Sequence, residues 1–193
     1  MLTLYFSPGA SSMAPHVALH EIGVPFEAMP VSLAKREQRA EAYLRINPEG
    51  NVPTLIVDGR ALTEVAAILY YLARRHPEAG LWPEGDLDAE ARALSWMSFI
   101  AATLHPARAK GLDHARTVYG LADRRLGAGA WAVGRYSIAG IHLFRLFWRL
   151  RGSLKPSPDD FPALEDHHAR MVARPAVQRT LEVEAAVGYE LPA

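Results

Sequence analysis

Ser11 and Ser12 stand directly ahead of a segment that reads as helix from about Met13 to Glu21, with Pro15 in its first turn. Ser12 is placed to cap that helix, and Thr63-Glu64 opens a second helical segment running to His76 in the same manner. A hydroxyl or backbone N–H group at such a start can meet a negative charge, because the helix dipole is positive there. Other groupings promise less. His16 and His20 are four residues apart and share a helix face, but no third ligand accompanies them, so no metal site is expected. His167 and His168 are adjacent and point to different faces, while Arg145 and Arg149 align on one face and are expected to pair or snorkel. Cysteine is absent, which excludes disulfides, thiolate metal sites and a cysteine nucleophile. No GxGxxG, Walker A or GxSxG pattern occurs.

The 193 residues are 50% hydrophobic and 22% charged, the balance of an ordinary globular chain. Lysine plus arginine number 21 and aspartate plus glutamate 21, so neither nucleic acid nor an anionic membrane is expected as the main partner. Met1 to Phe6 has no basic flank, and no apolar run approaches 18 residues, so a cytoplasmic location is expected.

Leu2 to Phe6 reads as a buried strand and Phe26 to Val31 as a second, with Gly23 ending the helix between them. A polar helix is expected from about Lys35 to Ile46, stopped by Asn47-Pro48-Glu49-Gly50. Thr54 to Val57 and Arg60 to Leu62 flank Asp58-Gly59, a strong hairpin signal. Residues 1–76 therefore read β-α-β-α-β-β-α, residues 77–85 form a linker, and 86–193 read as helix throughout. Expected helices run from Asp86 or Asp88 to Leu104, Asp113 to Leu126, Ser137 to Leu150, Pro162 to Arg174 and Pro175 to Ala186. The fold class expected is α/β followed by an all-α domain.

That order, with the phrases Ser7-Pro-Gly-Ala-Ser-Ser-Met-Ala-Pro-His16, Ile46-Asn-Pro-Glu-Gly-Asn-Val-Pro-Thr54, Leu62-Thr-Glu64 and Ala132-Val-Gly-Arg-Tyr-Ser-Ile-Ala139, resembles the cytosolic glutathione transferases, and most closely the bacterial beta class. Phe161-Pro-Ala-Leu164 through Ala173-Arg-Pro-Ala-Val177 extends the likeness to the second part. The resemblance implies a thioredoxin-like N-terminal domain that binds glutathione as co-substrate, and a homodimer. A free thiol of pKa near 8.5 is only about 3% ionised at pH 7; lowering it by about two units makes roughly three-quarters thiolate and takes about 2.7 kcal/mol.

By resemblance, Ser11 stands where the beta class usually carries cysteine, and Ser11 or Ser12 would orient the glutathione sulfur, with Tyr5 a further candidate. A mixed disulfide with glutathione is therefore excluded. Val52-Pro53 matches the cis-proline turn whose backbone pairs with the cysteinyl unit. Glu64 would meet the γ-glutamyl amine, Lys35 the glycyl carboxylate, and His105 matches another contact position. Val65 replaces the usual serine at the γ-glutamyl carboxylate; losing a charge-assisted hydrogen bond there costs about 1.5–3 kcal/mol, roughly 10- to 150-fold in affinity. The capping motif of the helical domain is also altered, with Ser137 present but Gly140 in place of aspartate, and the Pro106–Asp113 stretch is short.

The function implied is transfer of glutathione, its thiolate attacking an electrophilic, mostly apolar substrate, in the manner of a detoxification enzyme. The alternatives are a non-catalytic binding or interaction protein whose glutathione site is eroded at Val65, and a glutathione-dependent isomerase or dehalogenase.

Overall fold

A computed structural model describes residues 1–189. The chain forms two compact units: residues 1–75 together with the segment from Pro175 onward, and residues 76–174.

The first unit is built on a four-stranded mixed sheet in the order β2-β1-β3-β4, with β1 Leu2–Phe6, β2 Glu27–Pro30, β3 Thr54–Val57 and β4 Arg60–Thr63. β1 pairs parallel with β2 and antiparallel with β3, which pairs antiparallel with β4. Leu2, Leu4 and Phe6 point to one face and are buried, as the alternation of a strand requires. The hairpin turns on Asp58 and Gly59, at φ 49° and 83°, the positive pair that a type I′ turn needs. Helix α1, Met13–Ile22, ends on Gly23 in the left-handed conformation at φ 75°.

Three local expectations are corrected. The polar helix over 35–46 is only a 3-10 turn at Glu37–Arg39, preceded by Arg36 at φ 58°, and a four-residue α2, Glu41–Leu44, separated from that turn by extended Ala40. Within those two turns only Tyr43 is buried, so there is no apolar stripe to hold a longer helix. Ser12 does not cap α1 with its side chain. Thr63 closes β4 instead of capping, and helix α3 runs Val65–Arg75.

In the second unit, Asp86 caps α4 (Leu87–Phe99) by accepting from the Ala89 N–H at 2.9 Å. The helix expected to continue to Leu104 passes at Ile100 into a π-helical turn and then a 3-10 segment, His105–Lys110. Helices α5 (Leu112–Leu126), α6 (Ile138–Leu154) and α7 (Pro162–Val172) complete this unit around buried Tyr119, Phe144, Phe147 and Phe161. Ser137 starts α6 without a side-chain cap, and its buried hydroxyl has no partner. The last helix, α8 (Pro175–Val187), groups with the first unit, whereas the sequence assigned all of 86–193 to the helical domain. Its buried residues Ala176, Val177, Thr180 and Glu184 form one stripe, and α8 packs on α1.

Candidate functional site

Two loops of the first unit meet at the C-terminal ends of β1 and the start of β3. The first, residues 7–12, is fixed from inside. The Ser7 N–H donates to Ser12 Oγ at 3.0 Å and the Ser12 hydroxyl donates to Ser7 O at 3.1 Å. Ser12 is wholly buried and its Oγ is turned back onto the Ser7 backbone, accepting there as well as donating, and so it does not cap α1. Below it, Glu184 of α8 accepts from the Gly9 N–H at 2.7 Å through Oε2 and pairs with His16 Nδ1 at 3.0 Å through Oε1. Both His16 and Glu184 have no exposed surface. Their hydrogen bond is closed to water, and removing either side chain would take a buried polar partner from the other.

The second loop carries Val52 and Pro53, joined by a cis peptide bond. Tyr43 and Asn47 brace it: the Tyr43 hydroxyl donates to Asn51 O at 2.7 Å, and Asn47 Nδ2 reaches Asn51 O at 2.9 Å and Thr54 Oγ1 at 3.0 Å. Gly50 turns the chain at φ 63°; a Cβ there would lie 2.7 Å from the Arg39 guanidinium and 2.9 Å from Gln38 O, so only glycine fits. The loops join where the Ser11 hydroxyl donates to Val52 O at 3.0 Å. Ser11 is half-buried, in contrast to Ser12, and lies two residues ahead of the first residue of α1.

Glu64 occupies the start of α3, its carbonyl accepting from the Ile68 N–H at 2.9 Å. It is exposed and held at φ 67°, a conformation that costs a non-glycine residue on the order of 1 kcal/mol. Val65 follows as the first helical residue and is buried. Lys35 is exposed in the turn after β2, its N–H bonded to Ser32 Oγ at 3.1 Å. Tyr5 lies on β1 opposite Thr54 and sets its ring edge-on to Tyr43, with centroids 5.7 Å apart. His105 belongs to the other unit, where burial of part of the ring and the nearby Arg145 lower its pKa.

The sequence missed three supports of this site. Asn47 is the first residue of the Asn-Pro-Glu-Gly phrase, and Tyr43 could be suspected from its nearness to it. Glu184 lies 175 residues from Gly9, and no local signal connects them. His16 and His20 do stack, with centroids 5.1 Å apart, and burial together with His16 and Arg179 lowers the His20 pKa to about 4. His167 and His168 are both buried, against Trp131 and against Phe144 and Phe147 respectively. Among the described residues no helix is long and apolar enough to cross a membrane.

Against known proteins, residues 1–74 match the model of the glutathione S-transferase N-terminal domain. A glutathione S-transferase of Xanthomonas campestris pv. campestris is 34% identical over 95% of this chain and 98% of its own. Among solved structures, a glutathione transferase homologue from Sulfitobacter with bound glutathione superposes with a TM-score of 0.85 at 32% identity, covering 95% of this chain and 98% of that one. A bacterial beta-class glutathione S-transferase of Sphingomonas chungbukensis gives 0.79 at 34% identity, covering 94% and 98%. The fold is that of the cytosolic glutathione transferases, a thioredoxin-like domain followed by helices. The chain belongs to the glutathione S-transferase family.

Proposed function

We propose that the chain binds glutathione on its first unit and directs the thiolate at an electrophilic, mostly apolar substrate. The observation that carries this reading is the 3.0 Å hydrogen bond from Ser11 to Val52 O. It joins the residue that would face the sulfur to the carbonyl that would receive the cysteinyl N–H. An incoming cysteinyl N–H competes for that carbonyl and releases the Ser11 proton toward the sulfur beside it. A hydroxyl donating to a thiolate, near the positive end of α1, lowers the thiol pKa in the required direction. Ser12 has no proton left to give, so Ser11 takes the role of sulfur contact and Ser12 that of holding the loop.

In this scheme Val52 and Pro53 present backbone to glutathione, Glu64 meets the γ-glutamyl amine and Lys35 the glycyl carboxylate, while His105 is a further glutathione contact on the family resemblance alone. The Sulfitobacter relative, with glutathione bound, supports the co-substrate. A homodimer of such chains is part of the proposal. Val65 favours a second reading, a glutathione-independent binding protein on this fold, because it offers no hydroxyl where the family uses one.

Calorimetric titration with reduced glutathione separates the two. The transferase reading expects a micromolar to low-millimolar constant that weakens in Glu64→Gln, and a Ser11→Ala variant that still binds but loses about tenfold or more in kcat/KM toward an activated aryl chloride. No heat at millimolar glutathione, and no turnover, would leave the binding-protein reading standing.

A further inference from the structure

The start of α6 gathers hydrogen-bond donors that no side chain answers. Ser137 stands at the N-cap position, and a capping box would set an acidic or amide side chain three residues on, where this chain has Gly140. The first turn of any helix leaves N–H groups without an intrahelical acceptor. Here Ile138 donates its N–H to Leu81 O at 3.0 Å, and the first bond inside the helix runs from the Ile141 N–H to Ser137 O at 3.1 Å. The N–H groups of Ala139 and Gly140 lie between these two, on buried residues, and the Ser137 side chain caps neither. The Ser137 hydroxyl is itself fully buried, with no hydrogen-bond partner among the described residues.

Helix α7 aims a further polar group at the same turn. His167 has no exposed surface, and neither of its ring nitrogens has a hydrogen-bond partner among the described residues. A Cβ on Gly140 would lie 3.3 Å from His167 Nε2 and 3.9 Å from Trp131 Cε3, and among the described residues it would meet no other atom outside its own helix within 4 Å. Trp131 stands edge-on to the His167 ring, with centroids 5.8 Å apart. Burial first, then Arg170 and His168, lowers the His167 pKa to about 3, so the ring is neutral at pH 7 and carries one N–H. Negative charge is scarce nearby. Residues 124–158 contain no aspartate or glutamate, and on α7 Glu165 is taken by Arg151 at 3.0 Å. A water molecule accepts two hydrogen bonds, whereas a monatomic anion accepts from every donor around it and is favoured by the positive end of a helix.

We propose that the start of α6 binds a small monovalent anion of halide size, held by the Ala139 and Gly140 N–H groups, the Ser137 hydroxyl and the His167 ring. The anion supplies the charge that a capping box takes from its own third residue. Its size follows from Gly140, because His167 and Trp131 close the space beyond the glycine too tightly for a carboxylate or phosphate. The site lies wholly within the helical unit and asks nothing of glutathione.

The test has a crystal arm and a solution arm, both on the full chain at pH 7. In crystals soaked in sodium bromide, an anomalous peak is expected in contact with the Gly140 N–H and His167 Nε2. In solution, chloride at about five times its dissociation constant is expected to raise the melting temperature by about 2–4 °C over gluconate at equal ionic strength. Gly140→Ala puts a Cβ into the site and should lose that shift. His167→Phe keeps the ring and removes the donor, and should lose most of it. Each variant is read as its own difference between the two salts, so a change in its basal stability does not enter. Density beside Gly140 without anomalous signal would be water and would overturn the proposal. A bromide peak with no chloride shift in solution would be binding at crystal concentration only, and overturns it equally. So does a chloride shift that survives intact in either variant.

Discussion

The loop at the head of α1 and the start of α3 are the two ends of one candidate site, and they are built in opposite ways. Residues 7–12 are over-determined: Ser12 closes the turn on Ser7 from both sides, and Glu184 reaches from the last helix to hold Gly9 and His16 in a water-free pair. At α3 the chain holds an exposed glutamate at φ 67° and follows it with a buried valine that can donate nothing from its side chain. The first arrangement fixes a hydroxyl where the sulfur would lie. The second keeps a carboxylate in a costly conformation while giving up one hydroxyl that would share its task. In the proposed scheme sulfur positioning and amino-acid recognition fall to separate halves of the site, and the rigid half is the one whose side chains are all in place.

The strongest way to break the rigid half is Glu184→Ala. It removes the carboxylate that the Gly9 N–H and His16 Nδ1 both contact in a dry interior, so a loss of about 2–5 kcal/mol is expected from two buried hydrogen bonds unmade, read as a shifted denaturant midpoint. Glu184→Gln keeps a carbonyl for the Gly9 N–H and should lose less. A drop within experimental error in the alanine variant would show that water enters and that the pair does not lock the loop.

Acid extends the contrast to the helical unit. His142 and His167 are buried, and burial as the leading cause lowers both pKa values to about 3. The unfolded chain binds their protons near pH 6.5 and the folded chain does not, so stability falls as pH drops below 6.5 and keeps falling toward pH 3. From pH 7 to pH 5 each such group costs at most about 2 kcal/mol. In the first unit His20, whose ring keeps some exposure, contributes less. Melting curves followed at pH 7 and pH 5 should show the loss, and His142→Gln should remove about a third of the part due to His142, His167 and His168, the last lowered to about 4 by burial and Arg151. A melting temperature flat across that range would mean that the rings are solvated and charged.

Where the sequence was informative, the interactions were local or carried by whole phrases. The Asp58-Gly59 hairpin, the Gly23 stop and the strand β1 follow from turn chemistry and alternation over a few residues. The 35–46 segment was misjudged because polar residues that tolerate a helix do not require one when only Tyr43 has apolar surface to bury. Ser12 was misjudged for a related reason, since a serine ahead of a helix can bond forward or backward, and Ser7 was the better partner. The place of α8 was illegible because its assignment depends on a buried face meeting α1, and amphipathicity does not name the surface it will cover. Residues such as Ser11, Val52, Pro53 and Glu64 were found through the resemblance, while Glu184 belonged to no quoted phrase.

The weaker half of the site can be sharpened by restoring what it lacks. Val65→Ser returns a hydroxyl to the first turn of α3, where it would meet the γ-glutamyl carboxylate, and glutathione should bind about tenfold or more tightly. The variant gives up the burial of a valine side chain, about 1 kcal/mol of stability, so affinity and stability move in opposite directions. Unchanged affinity would place the γ-glutamyl group elsewhere.

The smallest effect is the most diagnostic. Glu64→Gly accepts φ 67° without a Cβ clash and should stabilise the fold by up to about 1 kcal/mol, while removing the carboxylate proposed to hold the glutathione amine. A more stable protein with weaker glutathione binding means that the conformation is kept for function. A more stable protein that binds glutathione equally well means that the strain at α3 serves something other than the co-substrate. Glu64→Gln keeps the strain and removes only the charge, so together the two variants separate backbone geometry from electrostatics at the same position.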